Sequence, residues 1–153
     1  MQNVAHPPSI ETDEMTERPL VIAIDGPSGS GKSSTARGVA SKLGLSYLDT
    51  GSMYRAIAVA YLQRELTPEQ TDAIEALVDE SELTILDDPQ APGILLDGQD
   101  ITQTIREPRV SQHVSIVATN PHVREVLTDQ MRALIDAAAV SYTHLTLPTT
   151  PYV

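Results

Sequence analysis

The sequence predicts an α/β fold in which a parallel sheet is flanked by helices and carries a small antiparallel insertion. Three observations support that expectation. Two short apolar runs, "LVIAID" (residues 20–25) and "LSYLD" (45–49), are each followed by a stretch of helical composition. Strand, helix, strand, helix is the pattern of a parallel sheet reached through a right-handed crossover. Further along, "LTIL" and "GILLDG" flank the turn-rich "DDPQAPG", which is a hairpin signal.

In chain order, residues 1–18 are polar and acidic with two adjacent prolines, and read as a disordered arm. "LVIAID" is a continuous run rich in β-branched residues, the pattern of a strand covered on both faces. "KSSTARGVASKL" reads as a helix ending at Gly44, and "GSMYRAIAVAYLQR" as a second helix after the "LSYLD" strand. Thr67, Pro68 and Gln70 have the spacing of a capping box, with the proline at the first helical position, for a helix reaching about Asp79. The hairpin follows. After "DITQTIR" two more helices are expected, one over 108–118 and one capped by Asn120, on which Val123, Leu127, Met131 and Leu134 make one buried face. At 153 residues the chain is long enough for one core and short for two, so residues 19–139 are read as a single domain. The last fourteen residues, "VSYTHLTLPTTPYV", contain no Asp, Glu, Lys or Arg and fit none of this patterning. They resemble translated adaptor sequence, and residues 140–153 are expected to be a non-native or disordered tail. A native peptide spanning residues 138–142 in a digest of protein from the source cells would defeat that expectation.

Composition narrows the classes. Apolar residues make up 41% and charged residues 20%, ordinary for a soluble domain. No apolar run approaches a membrane span and no signal peptide is visible, so a cytoplasmic location is expected. Without cysteine there are no disulfides, thiolate nucleophiles or Cys-based zinc sites. The four histidines, His6, His113, His122 and His144, show no paired metal spacing. The net charge of −11 is segregated: residues 65–100 hold eleven acids and no Lys or Arg, while Lys32, Arg37, Arg55, Arg106, Arg109, Arg124 and Arg132 lie in the other segments. A local basic cleft on an acidic body suits a small anion and argues against nucleic acid as a partner.

The motif "GPSGSGKS" supplies the anion site. Gly26-x4-Gly31-Lys32-Ser33 is a Walker A pattern placed between a buried strand and a helix. Glycines at 26, 29 and 31 let the main chain approach a phosphate, and successive N–H groups point inward at a helix N-terminus, where the dipole also favours an anion. Gly26, Pro27, Ser28, Gly29, Ser30, Gly31, Lys32, Ser33 and Ser34 are therefore the expected ATP-binding residues. Lys32 serves the β- and γ-phosphates, and the Ser33 hydroxyl serves Mg²⁺. Asp25 has open readings: it orders the loop, holds metal-bound water, or caps the strand end.

A second motif, "LDTGSMYR", addresses the acceptor. In open α/β sheets ligands gather at the carboxyl ends of strands. Asp25 and Asp49 end the two parallel strands, which puts "DTGSMYR" on the same edge as the phosphate loop. Thr50, Gly51 and Ser52 then offer hydroxyls and N–H groups, and Arg55 a guanidinium for an acceptor phosphate. The plainer reading makes Thr50 a helix cap and Arg55 a surface charge.

"IDGPSGSGKSS", then "LDTGSMYR", then "GQDIT...IR" and "VSIVATNPHVRE", in this order and spacing, resemble bacterial cytidylate kinase, a P-loop nucleoside monophosphate kinase, over residues 20–139. The resemblance implies a P-loop NTPase fold and transfer of phosphate from ATP, with Mg²⁺, to CMP or dCMP. It makes Lys32 and Arg55 the catalytic residues and places Asp49, Thr50 and Arg55 on the monophosphate side. It assigns Ser115 and Arg124 to the cytosine ring and makes the insertion, about 66–118, the part that closes over the monophosphate. Arg124 by itself is equally a solvated helix charge, and Arg106 and Arg109 are open between assisting a phosphate and lying on the surface. The expected partners are small nucleotides, with no nucleic acid, no membrane and a monomeric state. In the family the chain continues into a strand carrying "GRD", an arginine-bearing lid and closing helices. Their absence implies a domain truncated before the lid and a poor catalyst. Two rivals stand beside this reading: another P-loop small-molecule kinase, and a nucleotide-binding module without catalysis.

Overall fold

The computed structural model describes residues 20–27, 29–137 and 141–145, the last five by their backbone alone. The expected arm at 1–18, Pro19, Ser28 of the phosphate loop, residues 138–139 and, of the expected tail, residues 140 and 146–153 lie outside the described residues. In chain order the elements are β1 (Leu20–Ile24), α1 (Lys32–Leu43), β2 (Ser46–Asp49), α2 (Thr50–Gln63) and α3 (Thr71–Glu80). There follow β3 (Leu83–Leu86), β4 (Gly93–Leu96), β5 (Gln99–Asp100), a 3₁₀ turn (Thr104–Arg106), α4 (Pro108–Ala118), α5 (Pro121–Ala137) and β6 (Ser141–Leu145). The protein is a mixed α/β structure with a small antiparallel sheet.

The first sheet has the order β1-β6-β2, and β6 is parallel to both neighbours. β6 separates β1 from β2, and five residues of the expected tail form this central strand. "SYTHL" carries no formal charge and contains Tyr and Thr, residue types that suit a pleated, paired surface. It takes a place where the facing N–H and C=O groups of β1 and β2 would otherwise lack partners. Leu145 is the register partner of both Ile24 and Asp49. The carboxyl ends of β1 and β2 therefore reach one rim, about 10 Å apart at two strand spacings.

β1 also differs from expectation in its cover. Ile22 and Ile24 pack on Ala36, Ala40, Leu45 and Tyr47, but Leu20 is 54% and Val21 38% exposed. Period-two alternation puts Leu20, Ile22 and Ile24 on one face; Ile22 and Ile24 reach the cluster with α1, while Leu20 stays open at the strand's start. α1 ends as expected: Gly44 adopts φ 65°, and the N–H groups of Gly44 and Leu45 return to the Ala40 carbonyl.

Helices α2 to α5, with the hairpin, build most of the core. Met53 and Ile57 of α2, Leu77 of α3, Ile94 of β4, Val117 of α4 and Leu127 and Met131 of α5 form one cluster, each with at most 1% exposure. α4 and α5 fall where the sequence puts them, but α3 starts four residues after Thr67. The Gln70 side chain accepts from Thr67 N–H at 2.8 Å, as a capping box requires. The Gln70 N–H, however, bonds the Thr67 carbonyl at 3.1 Å, so the box closes a turn and Gln70 itself becomes the N-cap. The antiparallel hairpin pairs Leu83 with Leu96 and Leu86 with Gly93. A Cβ at Gly93 would overlap Thr102 Oγ1, so only glycine lets the loop after β5 lie this close. The loop at the hairpin's tip is fastened back onto the first sheet and α1. Tyr47 N–H donates to Asp87 O (2.8 Å), Arg37 Nε to Pro89 O (3.2 Å) and Gln90 Nε2 to Ser41 Oγ (2.5 Å).

Candidate functional site

The phosphate loop leaves β1 at Asp25, whose Oδ1 accepts from Gly26 N–H at 2.7 Å. Gly29 and Gly31 have φ +79° and +82°, the left-handed region that L residues enter only at a cost of about 1–2 kcal/mol. At Gly26 a Cβ would stand 2.9 Å from Ser30 Oγ, so the serine hydroxyl would have to turn aside. Gly31 is the N-cap of α1 and has no side-chain cap, and the first turn contains no acidic residue. The positive end of the helix dipole thus faces the loop without an internal anion to answer it.

At the neighbouring strand end, Asp49 rather than Thr50 caps α2. Its Oδ1 accepts from Gly51 N–H at 3.0 Å, and the Ser52 hydroxyl donates to its carbonyl at 2.6 Å. Thr50 is helical and 5% exposed. One turn on, Arg55 Nη1 donates to the Ile105 carbonyl (3.1 Å) and to Ser111 Oγ (2.8 Å). These bonds hold the guanidinium plane and engage only one of its three nitrogens, leaving its remaining donors a fixed direction.

The two regions meet in a cavity of about 430 Å³. Ser33 lines it from the phosphate loop, Asp49, Ser52 and Arg55 from the start of α2, and Leu86 and Gly93 from the hairpin. Arg37 and Arg106 are also in its wall, so three guanidinium groups face one carboxylate. That balance favours a small polyanion. Tyr47 completes the wall between Ser33 and Asp49, and its burial, with the Asp49 carboxylate second, pushes the phenol up to about 12.

Not every expected residue reaches this cavity. Of the described residues of the phosphate loop only Ser33 lines it, and Lys32, Thr50, Ser115, Arg124 and Arg109 do not. Ser115 lies on α4 one turn beyond Ser111, hence about 6 Å further along the same stripe. Arg124 is near Tyr54, whose phenol burial pushes up and Arg124 draws back down. Arg37 and Tyr47 were missed as site residues. Arg37 lies four residues after Ser33, so a helical wheel puts both on one side of α1. Tyr47 precedes Asp49 by two, which places both on one face of β2.

The oxygens present suit Mg²⁺. Ser33 Oγ and the Asp49 carboxylate line the same cavity, and no group of three or more His, Cys, Asp or Glu able to hold a metal occurs among the described residues. Mg²⁺ keeps several waters and is commonly held by one or two protein oxygens plus phosphate oxygens, which this donor set matches.

Comparison with known proteins follows the same lines. Residues 22–142 match the family model described as cytidylate kinase. A cytidylate kinase from Cutibacterium acnes is 52% identical over 77% of this chain and 53% of its own length. One from Corynebacterium efficiens is 45% identical over 81% of this chain and 54% of its length. A bifunctional pantoate ligase/cytidylate kinase from a Synechococcus species is 44% identical over 85% of this chain and 24% of its length. The chain thus spans about half the length of the single-function relatives. A family match over most of the chain, with relatives at this level of identity, establishes that the chain belongs to the cytidylate kinase family.

Proposed function

We propose that this chain is the nucleotide-handling part of an ATP-dependent kinase that phosphorylates CMP or dCMP. The observation that supports the reading most directly is the shared cavity, in which Ser33 of the phosphate loop faces Arg55 and Arg106 across about 430 Å³. On this reading Gly26–Ser34 hold the triphosphate of ATP, and Lys32 neutralises charge on its β- and γ-phosphates. Arg55, held by Ile105 and Ser111, orients the acceptor phosphate, beside Asp49 and Thr50. Ser115 and Arg124 meet the cytosine, whose carbonyl and ring nitrogen accept hydrogen bonds. A bound Mg²⁺, held at Ser33, supplies charge neutralisation at the phosphates. An acceptor oxygen attacks the γ-phosphorus in line and no covalent enzyme intermediate is required.

The three-stranded parallel sheet is read as part of a P-loop kinase sheet, and the chain as a soluble cytoplasmic monomer. Among the described residues no helix is long and apolar enough to cross a membrane. Slow turnover by this chain taken alone is part of the proposal. The sequence from about Val140 is proposed to be non-native, although Ser141–Leu145 lie in the sheet and the family match runs to residue 142. Coupled ADP production with CMP, dCMP, UMP, AMP and shikimate tests the substrate, with calorimetry as the binding control. CMP and dCMP should lead the panel, and activity with AMP alone overturns the assignment. Binding without turnover by this chain fits a fragment. The same outcome for a protein of the relatives' full length refutes the kinase reading.

A further inference from the structure

We propose that the loop at the hairpin's tip, residues 87–90, is a strap that sets the hairpin wall of the cavity, with Ser41 and Gln90 as positioning residues acting through that wall on the bound monophosphate. The inference rests on the acceptor reading above and adds two residues to it, neither of which lines the cavity. Three bonds fasten the loop. Tyr47 N–H donates to Asp87 O (2.8 Å), Arg37 Nε to Pro89 O (3.2 Å) and Gln90 Nε2 to Ser41 Oγ (2.5 Å). Their anchors lie on β2 and α1, the elements that bring Asp49 and Ser33 to the same cavity.

The strap stands where it can set the wall. Ile85 and Leu86 precede it, Pro92 and Gly93 follow it, and all four line the cavity. The base of the hairpin is fixed by burial, with Ile94 and Leu96 at 0% and 3% exposure in the main core, whereas Leu86 at the tip end is 37% exposed. Packing therefore holds the base, and the three hydrogen bonds hold the tip. The loop is stiff enough to transmit them. Gln90 N–H donates to Asp88 Oδ1 at 2.8 Å, Ala91 N–H donates to Asp88 O at 3.1 Å, and Pro89 has a fixed φ. On α1, Ser33, Arg37 and Ser41 follow at four-residue steps, so one side of the helix carries a cavity hydroxyl, a cavity guanidinium and the outer anchor in line. Ser41 stands about 12 Å along the helix from Ser33, so it acts on the wall without meeting the ligand. The consequence is for affinity. A wall that swings binds ligand only in the fraction of molecules where it is set, and the apparent affinity falls by that fraction. The strap raises the fraction in advance and so lowers the ordering cost of binding.

The test uses a chain without cysteine. Ser41→Cys/Gln90→Cys puts two thiols at the strap, where a short bis-methanethiosulfonate reagent bridges them and a reductant removes the bridge. CMP and ATP are titrated separately by calorimetry into the wild type, Gln90→Ala and the double variant in both forms, with circular dichroism as the check on the fold. Gln90→Ala and the reduced double variant should bind CMP about 2- to 10-fold more weakly than the wild type, the range of one hydrogen bond, with ATP changed by less than about 2-fold. Bridging should restore the CMP affinity. Unchanged CMP affinity in Gln90→Ala, or equal CMP affinity in the bridged and reduced forms, overturns the strap and leaves the acceptor reading intact. Equal losses for CMP and ATP overturn it too, because the bonds then merely steady α1. A wild-type chain that binds ATP but no CMP overturns the acceptor reading, and the strap with it.

Discussion

Arg55 and Lys32 show two ways a cation is kept ready for a phosphate. Arg55 is tied by Nη1 to a carbonyl and a hydroxyl, so its plane is fixed before any ligand arrives and little rotamer freedom is lost on binding. Lys32 has no such tether among the bonds described; it is placed by being the first residue of α1, where the backbone delivers it to the loop. Its contribution should therefore be the charge-assisted contact alone, about 1.5–3 kcal/mol. Lys32→Ala is expected to weaken ATP binding by about 10- to 100-fold, with CMP binding nearly unchanged, both read by calorimetry. Equal loss for the two nucleotides would mean that Lys32 supports the loop's shape and not the triphosphate.

Among the elements, α5 carries the clearest local determinants. The Asn120 side chain accepts from His122 N–H at 2.9 Å and Val123 N–H at 3.1 Å, answering two of the unpaired donors at the helix start. Asn120→Ala should cost about 1 kcal/mol in a urea melt, whereas Asn120→Gly should cost only a few tenths. On the same turn His122 Nε2 meets Asp79 Oδ1 at 2.8 Å and joins α5 to α3. This bond, with the nearby Glu75 and Glu125 carboxylates, raises the imidazole above its ordinary 6.5. Because the folded state holds the proton more tightly, the contribution is complete below about pH 6.5 and disappears as pH climbs through the raised value. The melting temperature of the wild type, compared with His122→Gln, should lose its advantage between pH 6 and 8, and a constant difference across that range would contradict the pairing. The elements legible in the sequence were those whose signals are local, such as the proline and asparagine at the start of α5 and the glycine after α1. α3 was misplaced because Gln70 serves a turn and a helix at once, and only the path of the backbone decides which. β6 was missed because uncharged "SYTHL" has no partner in its own neighbourhood; its strand character comes from two edges set more than ninety residues earlier. The site divides in the same way, since the Walker glycines and Arg55 announce themselves while Arg37 and Tyr47 become site residues only through the cavity they share.

Across the whole molecule the hydrophobic cores are unequal, and this should govern where the chain opens first. The cluster centred on α2 gathers side chains from α3, β4, α4 and α5, including Ile57, Leu77, Leu127 and Met131 with no exposure. The cluster under the phosphate loop has four buried members, two of them alanines, with Ile22 and Ile24 only partly covered. Fully burying a Leu or Ile contributes about 1.5–3 kcal/mol, and an alanine far less, so α1 is held chiefly by a few small contacts and by the hairpin loop's bonds to Arg37 and Ser41. Local opening free energies follow such differences in buried apolar contact. Amide hydrogen exchange should therefore find residues 36–43 of α1 less protected than residues 53–61 of α2 or 123–131 of α5. ATP with Mg²⁺ at about 100 times its dissociation constant should then protect α1 by about 2.7 kcal/mol, roughly 100-fold, because the ligand binds only the closed form. The α2 and α5 amides, whose exchange reports openings of the larger core, should respond less wherever α1 opens independently. If α1 instead exchanges as slowly as α2 without ligand, the two clusters open as one cooperative unit, and the phosphate loop is as stable as the core beside it.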